Sequence, residues 1–176
     1  MTTLKTLYSR DQIADKVRSL GKFISEDYRG KNLLVIGVLK GATIFMADLV
    51  REITIPIEFD FIRLASYGND MATCGDVKIT FYPMAEIENR HILIVEDIVD
   101  TGLCVEAVMK YLTSREPASL KLCSLLDKPA RRRVSVGIDY PGFTVPDKFI
   151  VGYGLDYAQH YRNLPEIYTL EENGDD

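Results

Sequence analysis

The sequence predicts an α/β fold, a mostly parallel twisted sheet flanked by helices. Three observations predict it. Apolar runs of strand length alternate with segments whose apolar residues recur at helical spacing. The runs at 33–39 and 91–95 are continuous rather than alternating, as in strands covered on both faces. Behind each comes a turn containing glycine and then a helical pattern, the order that builds parallel sheets.

Each element follows from its residues. Ile13, Val17, Leu20 and Ile24 lay one apolar stripe along a helix over 11–28, which Gly30 ends. Residues 33–39, with two valines and Ile36, are too short for a helix and read as a strand. Gly41 opens a second helix carrying Ile44, Phe45, Leu49 and Ile53 inward, with Pro56 as its stop. Residues 57–66 are a strand, 67–76 (YGNDMATCGD) a polar loop, and 77–82 a further β run that leads to Pro83. The third buried strand begins at 91–95. Its helix, 105–114, turns Val105, Val108, Met109 and Leu112 inward. Residues 120–126 and 148–153 are the fourth and fifth apolar runs.

Bulk properties exclude several classes. A chain of 176 residues, 47% hydrophobic, with no composition break or repeat, suits a single domain over 1–176. It has neither an apolar run long enough to span a bilayer nor a secretory leader, so a cytoplasmic protein without membrane partners is expected. Cys74, Cys104 and Cys123 are odd in number and widely spaced, which suits free thiols rather than a zinc cage. The net charge is -5, but Glu171, Glu172, Asp175 and Asp176 form an acidic tail over 171–176, leaving about -1 for the remainder. No broad positive field remains for nucleic acid. The run Arg131, Arg132, Arg133 reads as a solvated turn between strands.

The stretch HILIVEDIVDTGLCVEAVMKYL, 91–112, carries the chemistry. Its strand ends in Glu96 and Asp97, with Asp100 just beyond. Acids crowded at the carboxyl edge of a parallel sheet, where ligands bind, repel one another unless a cation or hydroxyl donors lie between them. A sugar with a divalent metal meets that need. The following turn offers the amides of Thr101, Gly102, Leu103 and Cys104 at a helix start, a cradle for phosphate. The plainer reading is a βα turn with Thr101 capping its helix.

VEDIVDTG resembles the ribose-phosphate signature of the type I phosphoribosyltransferases. GVLKGATIFMADL, FIRLASYGND, LLDKP and PDKFIVGYGLDYAQHYRNLP resemble, in order, segments of the bacterial hypoxanthine-guanine phosphoribosyltransferases. The fold this resemblance implies adds a small hood from the chain ends, and a lid over about 66–77 headed by Ser66 and Tyr67. The implied activity is magnesium-dependent transfer of ribosyl 5-phosphate from phosphoribosyl pyrophosphate to hypoxanthine or guanine, in a homodimer or homotetramer.

The resemblance also assigns roles. Glu96 and Asp97 would hold the ribose hydroxyls directly or through magnesium, and Asp100 would be the general base. Lys128 would donate to the purine 6-oxo group, Phe149 would stack on the base, and the Ile150 carbonyl would meet the purine's other edge. Asp156 would bind a second magnesium. Lys40, Gly41 and Arg162 would hold pyrophosphate, the first two in a loop turned inward by a non-proline cis peptide. Read without the family, Lys128 is a solvated lysine, Phe149 a core residue, and Ser66 and Tyr67 part of a hairpin connection.

One position departs from the family's pattern. Members usually carry threonine where this chain has Cys104, which replaces a hydroxyl donor to the 5-phosphate with a weak thiol. Cys104→Thr is therefore expected to lower the KM for the ribose donor. The rival readings are a regulator of the same fold that senses the donor without turnover and a dinucleotide-binding enzyme. The retained Asp100 and Lys128 oppose the first. Against the second, Gly152-Tyr153-Gly154 lacks the third glycine and the helix such a motif needs.

Overall fold

The computed structural model describes residues 2–66 and 77–172. Strands β1 (Thr2–Tyr8), β2 (Leu33–Leu39), β3 (Ile57–Ser66), β4 (Val77–Phe81), β5 (His91–Val99), β6 (Ser119–Asp127), β7 (Tyr140–Thr144), β8 (Phe149–Val151) and β9 (Ile167–Glu172) form two sheets. The larger has the order β4-β3-β2-β5-β6-β7, parallel except for β4. Helices α1 (Arg10–Asp27), α2 (Thr43–Glu52) and α3 (Leu103–Thr113) cover it, and a short 3-10 turn spans Pro129–Arg131. None of the described helices is long and apolar enough to cross a membrane.

The continuous apolar runs fill two cores at once, because successive strand side chains point to opposite faces. Leu33, Val35, Leu93 and Val95 join Ile13, Val17 and Leu20 of α1 and Phe45 and Leu49 of α2 in one cluster. Leu34, Ile36, Ile92 and Ile94 meet Val105, Val108 and Leu112 of α3 in the other. Ser9 fixes the start of α1 by a reciprocal cap: its hydroxyl accepts from the Gln12 amide at 3.3 Å, and its own amide donates to the Gln12 side chain at 2.9 Å.

The expected hood is a second sheet, order β1-β9-β8, antiparallel throughout. This corrects the fifth apolar run: Phe149–Val151 pairs with β9, not with the central sheet. The central edge place falls to β7, which lies parallel to β6. Its sequence, YPGFT, gives no apolar run, and its Pro141 is tolerated because an edge strand needs fewer ladder donors. A second correction concerns β5. It continues to Val99, so Glu96 and Asp97 stand within the strand, and α3 begins at Leu103 rather than at 105. No disulfide involves Cys104 or Cys123. Cys74, Tyr67 and the acids at 175 and 176 lie outside the described residues.

Candidate active site

Pairing of β5 between β2 and β6 carries Glu96 to the carboxyl edge of the sheet, where it is 7% exposed. Burial holds the Glu96 carboxyl well above the usual carboxylate range, and the neighbouring Asp97 charge adds to this. Burial likewise pushes Asp97 up to about 6, against the opposing pull of the Asp97 and Ile98 amides. Among the described residues, Glu96 Oε2 and Asp100 Oδ1 are buried with no hydrogen-bond partner.

Orphaned carboxylate oxygens are the donor set a hard divalent cation takes. Among the described residues, no group of three or more acids, histidines or cysteines closes around one point. A magnesium ion here would therefore draw most of its ligands from substrate oxygens and water, which is its usual preference. The residues fit the ion on those terms.

A second wall faces this rim. Arg162 pairs with Asp156 at 2.6 Å and donates to the Gly154 carbonyl at 2.7 Å, while Asp156 Oδ2 accepts from the Gln159 amide at 2.8 Å. Lys40 Nζ donates to Gln159 Oε1 at 3.2 Å, and the peptide bond between Leu39 and Lys40 is cis, at the loop where the resemblance implied one. Gly41 lies against Asp97: a Cβ placed there would sit 2.7 Å from Oδ1. Both charges reach Asp97: the Arg162 guanidinium draws its carboxyl pKa down, and the like charge of Asp156 pushes it up. Five of the expected site residues, Lys40, Gly41, Asp97, Asp156 and Arg162, thus come together.

A cavity of about 180 Å³ joins the two walls, lined by Asp97, Asp100, Lys128, Phe149, Ile150 and Asp156 and completed by Ile98, Arg131 and Leu155. Lys128 is not the solvated lysine of the plain reading. It is 4% exposed, and its Nζ donates to the Lys148 carbonyl at 2.7 Å and pairs with Asp147 at 3.3 Å. Nor is Phe149 a core residue. It is 42% exposed and meets Tyr157 edge-on, ring centroids 5.1 Å apart. Ile150 is buried beside it, its strand position paired with Thr169.

At the turn after β5, the helix N-cap is Gly102 at φ 88°, a left-handed conformation that favours glycine. Thr101 is therefore not the cap, although its Oγ1 accepts from the Leu103 amide at 3.4 Å. The first amides of α3 have no carbonyl a turn earlier to receive them, so the turn suits an anion. Cys104, half-buried, is the second residue of α3. The solvated reading of the arginine run also fails for Arg132, whose side chain is 18% exposed and ion-paired to Asp127. Arg131, which lines the cavity, lies 3.8 Å from Asp100 and 3.5 Å from Asp147. Ser66 ends β3 and is not among the cavity residues.

Sequence reasoning missed Arg131, Arg132 and Asp147. The run of arginines was visible, but charge alone does not separate a solvated turn from one folded back onto the site. Asp147 stands in the same PDKF motif as Phe149, and only tertiary pairing gives it a role.

A phosphoribosyl transferase domain matches residues 3–158. The chain is 48% identical over 171 residues to the hypoxanthine phosphoribosyltransferase of Haemophilus influenzae, covering 94% of this chain and 96% of that protein. It is 44% identical over 167 residues to that of Escherichia coli, covering 94% of each. The bifunctional protein TilS/HprT of Listeria innocua is 48% identical over 95% of this chain, which spans only 26% of that longer protein. Among solved structures, a hypoxanthine-guanine phosphoribosyltransferase from Bacillus anthracis superposes with TM-score 0.90 at 43% identity, over 95% of this chain and 99% of that one. A hypoxanthine phosphoribosyltransferase from Staphylococcus aureus gives 0.91 at 40%, over 95% of this chain and 91% of that one. A carboxylate rim, a glycine-capped amide turn and a buried lysine on this sheet, with those likenesses along nearly its whole length, make the chain a member of the phosphoribosyltransferase family, in the group of the bacterial hypoxanthine phosphoribosyltransferases.

Proposed function

We propose that the chain transfers ribosyl 5-phosphate from phosphoribosyl pyrophosphate to hypoxanthine or guanine. One observation carries the reading: a cavity lined by Asp97, Asp156 and Asp100, whose Oδ1 is buried without a partner, reaches buried Lys128 and exposed Phe149, and the strand bearing Glu96 and Asp97 leads directly into a glycine-capped amide turn. Sugar, phosphate and base each find suitable chemistry there.

Glu96 and Asp97 bind the ribose hydroxyls, and the amides of residues 101–104 hold the 5-phosphate against the positive end of α3. Lys40, Gly41 and Arg162 hold the pyrophosphate. Glu96 and Asp97, through the donor, and Asp156, at the pyrophosphate, would hold magnesium, which would neutralise the leaving group's charge. Phe149 stacks on the purine and Lys128 donates to its 6-oxo oxygen, which favours hypoxanthine and guanine over adenine. The Ile150 carbonyl meets the far edge of the base.

As the bond from the anomeric carbon to pyrophosphate breaks, a purine ring nitrogen bonds to that carbon and loses its proton to Asp100. A positioned base of this kind contributes roughly 10²- to 10⁴-fold. The Asp100 charge also stabilises the oxocarbenium-like carbon. Association into a dimer or tetramer belongs to the same reading and is supported by the large apolar side chains exposed at Phe59, Phe81, Tyr82 and Met84.

The test is magnesium-dependent pyrophosphate release from the donor with hypoxanthine, guanine, xanthine and adenine in turn. Turnover with 6-oxopurines, lost in Asp100→Ala with the fold intact, is the expected result. Turnover with none of the four in the parent chain would return it to a non-catalytic sensor of the donor.

A further inference from the structure

The segment after β6 takes three successive carbonyls of the site turn from one side. The Val99 carbonyl accepts from the Lys128 amide at 3.0 Å and from Arg132 Nη2 at 3.1 Å, and the Asp100 carbonyl accepts from Arg132 Nε at 3.0 Å. The Thr101 carbonyl accepts from the amides of Arg133 and Val134 at 2.9 and 3.1 Å. Arg132 is itself braced by the Asp127 carboxylate at the end of β6 and reaches the Val136 carbonyl at 3.5 Å. The fit is close: a Cβ on Gly102 would stand 2.7 Å from the Val134 carbonyl oxygen and 3.2 Å from Arg132 Cδ.

A trans peptide directs its C=O and its N–H to opposite sides. Holding the carbonyls of 99, 100 and 101 toward the 128–134 segment therefore turns the amides of Asp100, Thr101 and Gly102 the other way. Arg132 does part of this with a planar fork, which spans three carbonyls, two of them in the turn, and a carboxylate at once, whereas a lysine ammonium cannot reach all four. Its charge is matched by Asp127, so its contribution is direction rather than field.

We propose that Arg132, braced by Asp127, is a positioning residue for the phosphate cradle: it aims the turn's amides at the donor's 5-phosphate without touching substrate. This rests on the reading of the turn as the donor's phosphate site. It predicts that loss of the fork acts on the ribose donor and not on the base.

Steady-state rates of Arg132→Lys, Arg132→Ala and Asp127→Asn, with each substrate varied, decide it. Both Arg132 variants are expected to raise the KM for phosphoribosyl pyrophosphate about tenfold or more, with the KM for hypoxanthine within about threefold of the parent. Added guanidinium ion should restore part of the lost donor affinity in Arg132→Ala, and methylammonium should not. Asp127→Asn keeps the fork but loosens it, so its donor KM should rise by a smaller factor. It also carries the test if the Arg132 variants do not fold. Donor KM values within about twofold of the parent, or both substrates' KM values rising in proportion, overturn the inference. Absence of donor turnover in the parent chain defeats the proposed function; turnover in the parent with unshifted variants defeats only the positioning role.

Discussion

Replacing Gly41 with alanine tests how the pyrophosphate loop and the acidic rim depend on each other. An added Cβ would lie 2.5 Å from the Asp97 carboxyl carbon and 2.7 Å from Oδ1. Oδ2 is closer still, and ordinary contacts begin near 3.5 Å, so the carboxylate or the loop must retreat by more than about 1 Å. That movement draws Asp97 off the amides of Asp97 and Ile98, which favour its ionised form. A lost hydrogen bond to a charged group costs about 1.5 to 3 kcal/mol, which corresponds to roughly tenfold to a hundredfold in affinity. Gly41→Ala should therefore raise the KM for phosphoribosyl pyrophosphate about tenfold or more, with a smaller effect on the base. Initial rates at saturating magnesium with the donor varied measure this. Donor KM and kcat both within about twofold of the parent would refute the steric reasoning.

Two further outcomes follow from the same geometry. Lys128→Met removes the donor offered to the 6-oxo group while keeping a long buried side chain, so the kcat/KM ratio of hypoxanthine to adenine should fall by about tenfold or more; an unchanged ratio excludes Lys128 as the selecting donor. The raised carboxyls give a definite sign with pH. Glu96 and Asp97 bind protons more tightly in the folded chain than unfolded, so their contribution to stability is fully present below the ordinary carboxylate range. For Asp97 it is lost as pH rises through about 6. The Tm of the protein without ligands should fall over that interval, and magnesium with the donor should raise Tm more at about pH 7.5 than at about pH 5. A larger stabilisation at the acid end would contradict the assignment of these acids to the metal-loaded donor.

Much of this architecture was legible in the sequence because burial on both faces of a sheet demands unbroken apolar runs. Leu33–Leu39 and the first part of β5 show it, since their alternate residues feed opposite cores. Where that demand lapses, the reading failed. β7 is an exposed edge containing Pro141 and Gly142, so it carries no apolar signature. β8 has one, yet it pairs with β9 in the hood rather than with the central sheet, a difference that hydrophobicity alone does not encode. β5 outruns its apolar stretch because Glu96 keeps its ladder place despite its charge and Ile98 and Val99 continue the pairing with β6.

The site divides in the same way. Glu96, Asp97 and Asp100 stood out because acids at a strand's end cost energy without a ligand, and the turn after them has the composition of an anion cradle. Lys128, Phe149, Asp156 and Arg162 came only through resemblance, since a single lysine or phenylalanine is uninformative by itself. Arg132 and Asp147 escaped both routes. Their roles exist only in pairings, Arg132 with Asp127 and Asp147 with Lys128, that the folded chain brings together.

The most direct measurement is a crystal structure of the chain soaked with inosine monophosphate. The ribose hydroxyls should lie on Glu96 and Asp97, the phosphate on the amides of 101–104, and the base against Phe149 with its 6-oxo oxygen near Lys128. A base on the acidic rim, or a phosphate held anywhere other than that turn, would contradict the account at its root.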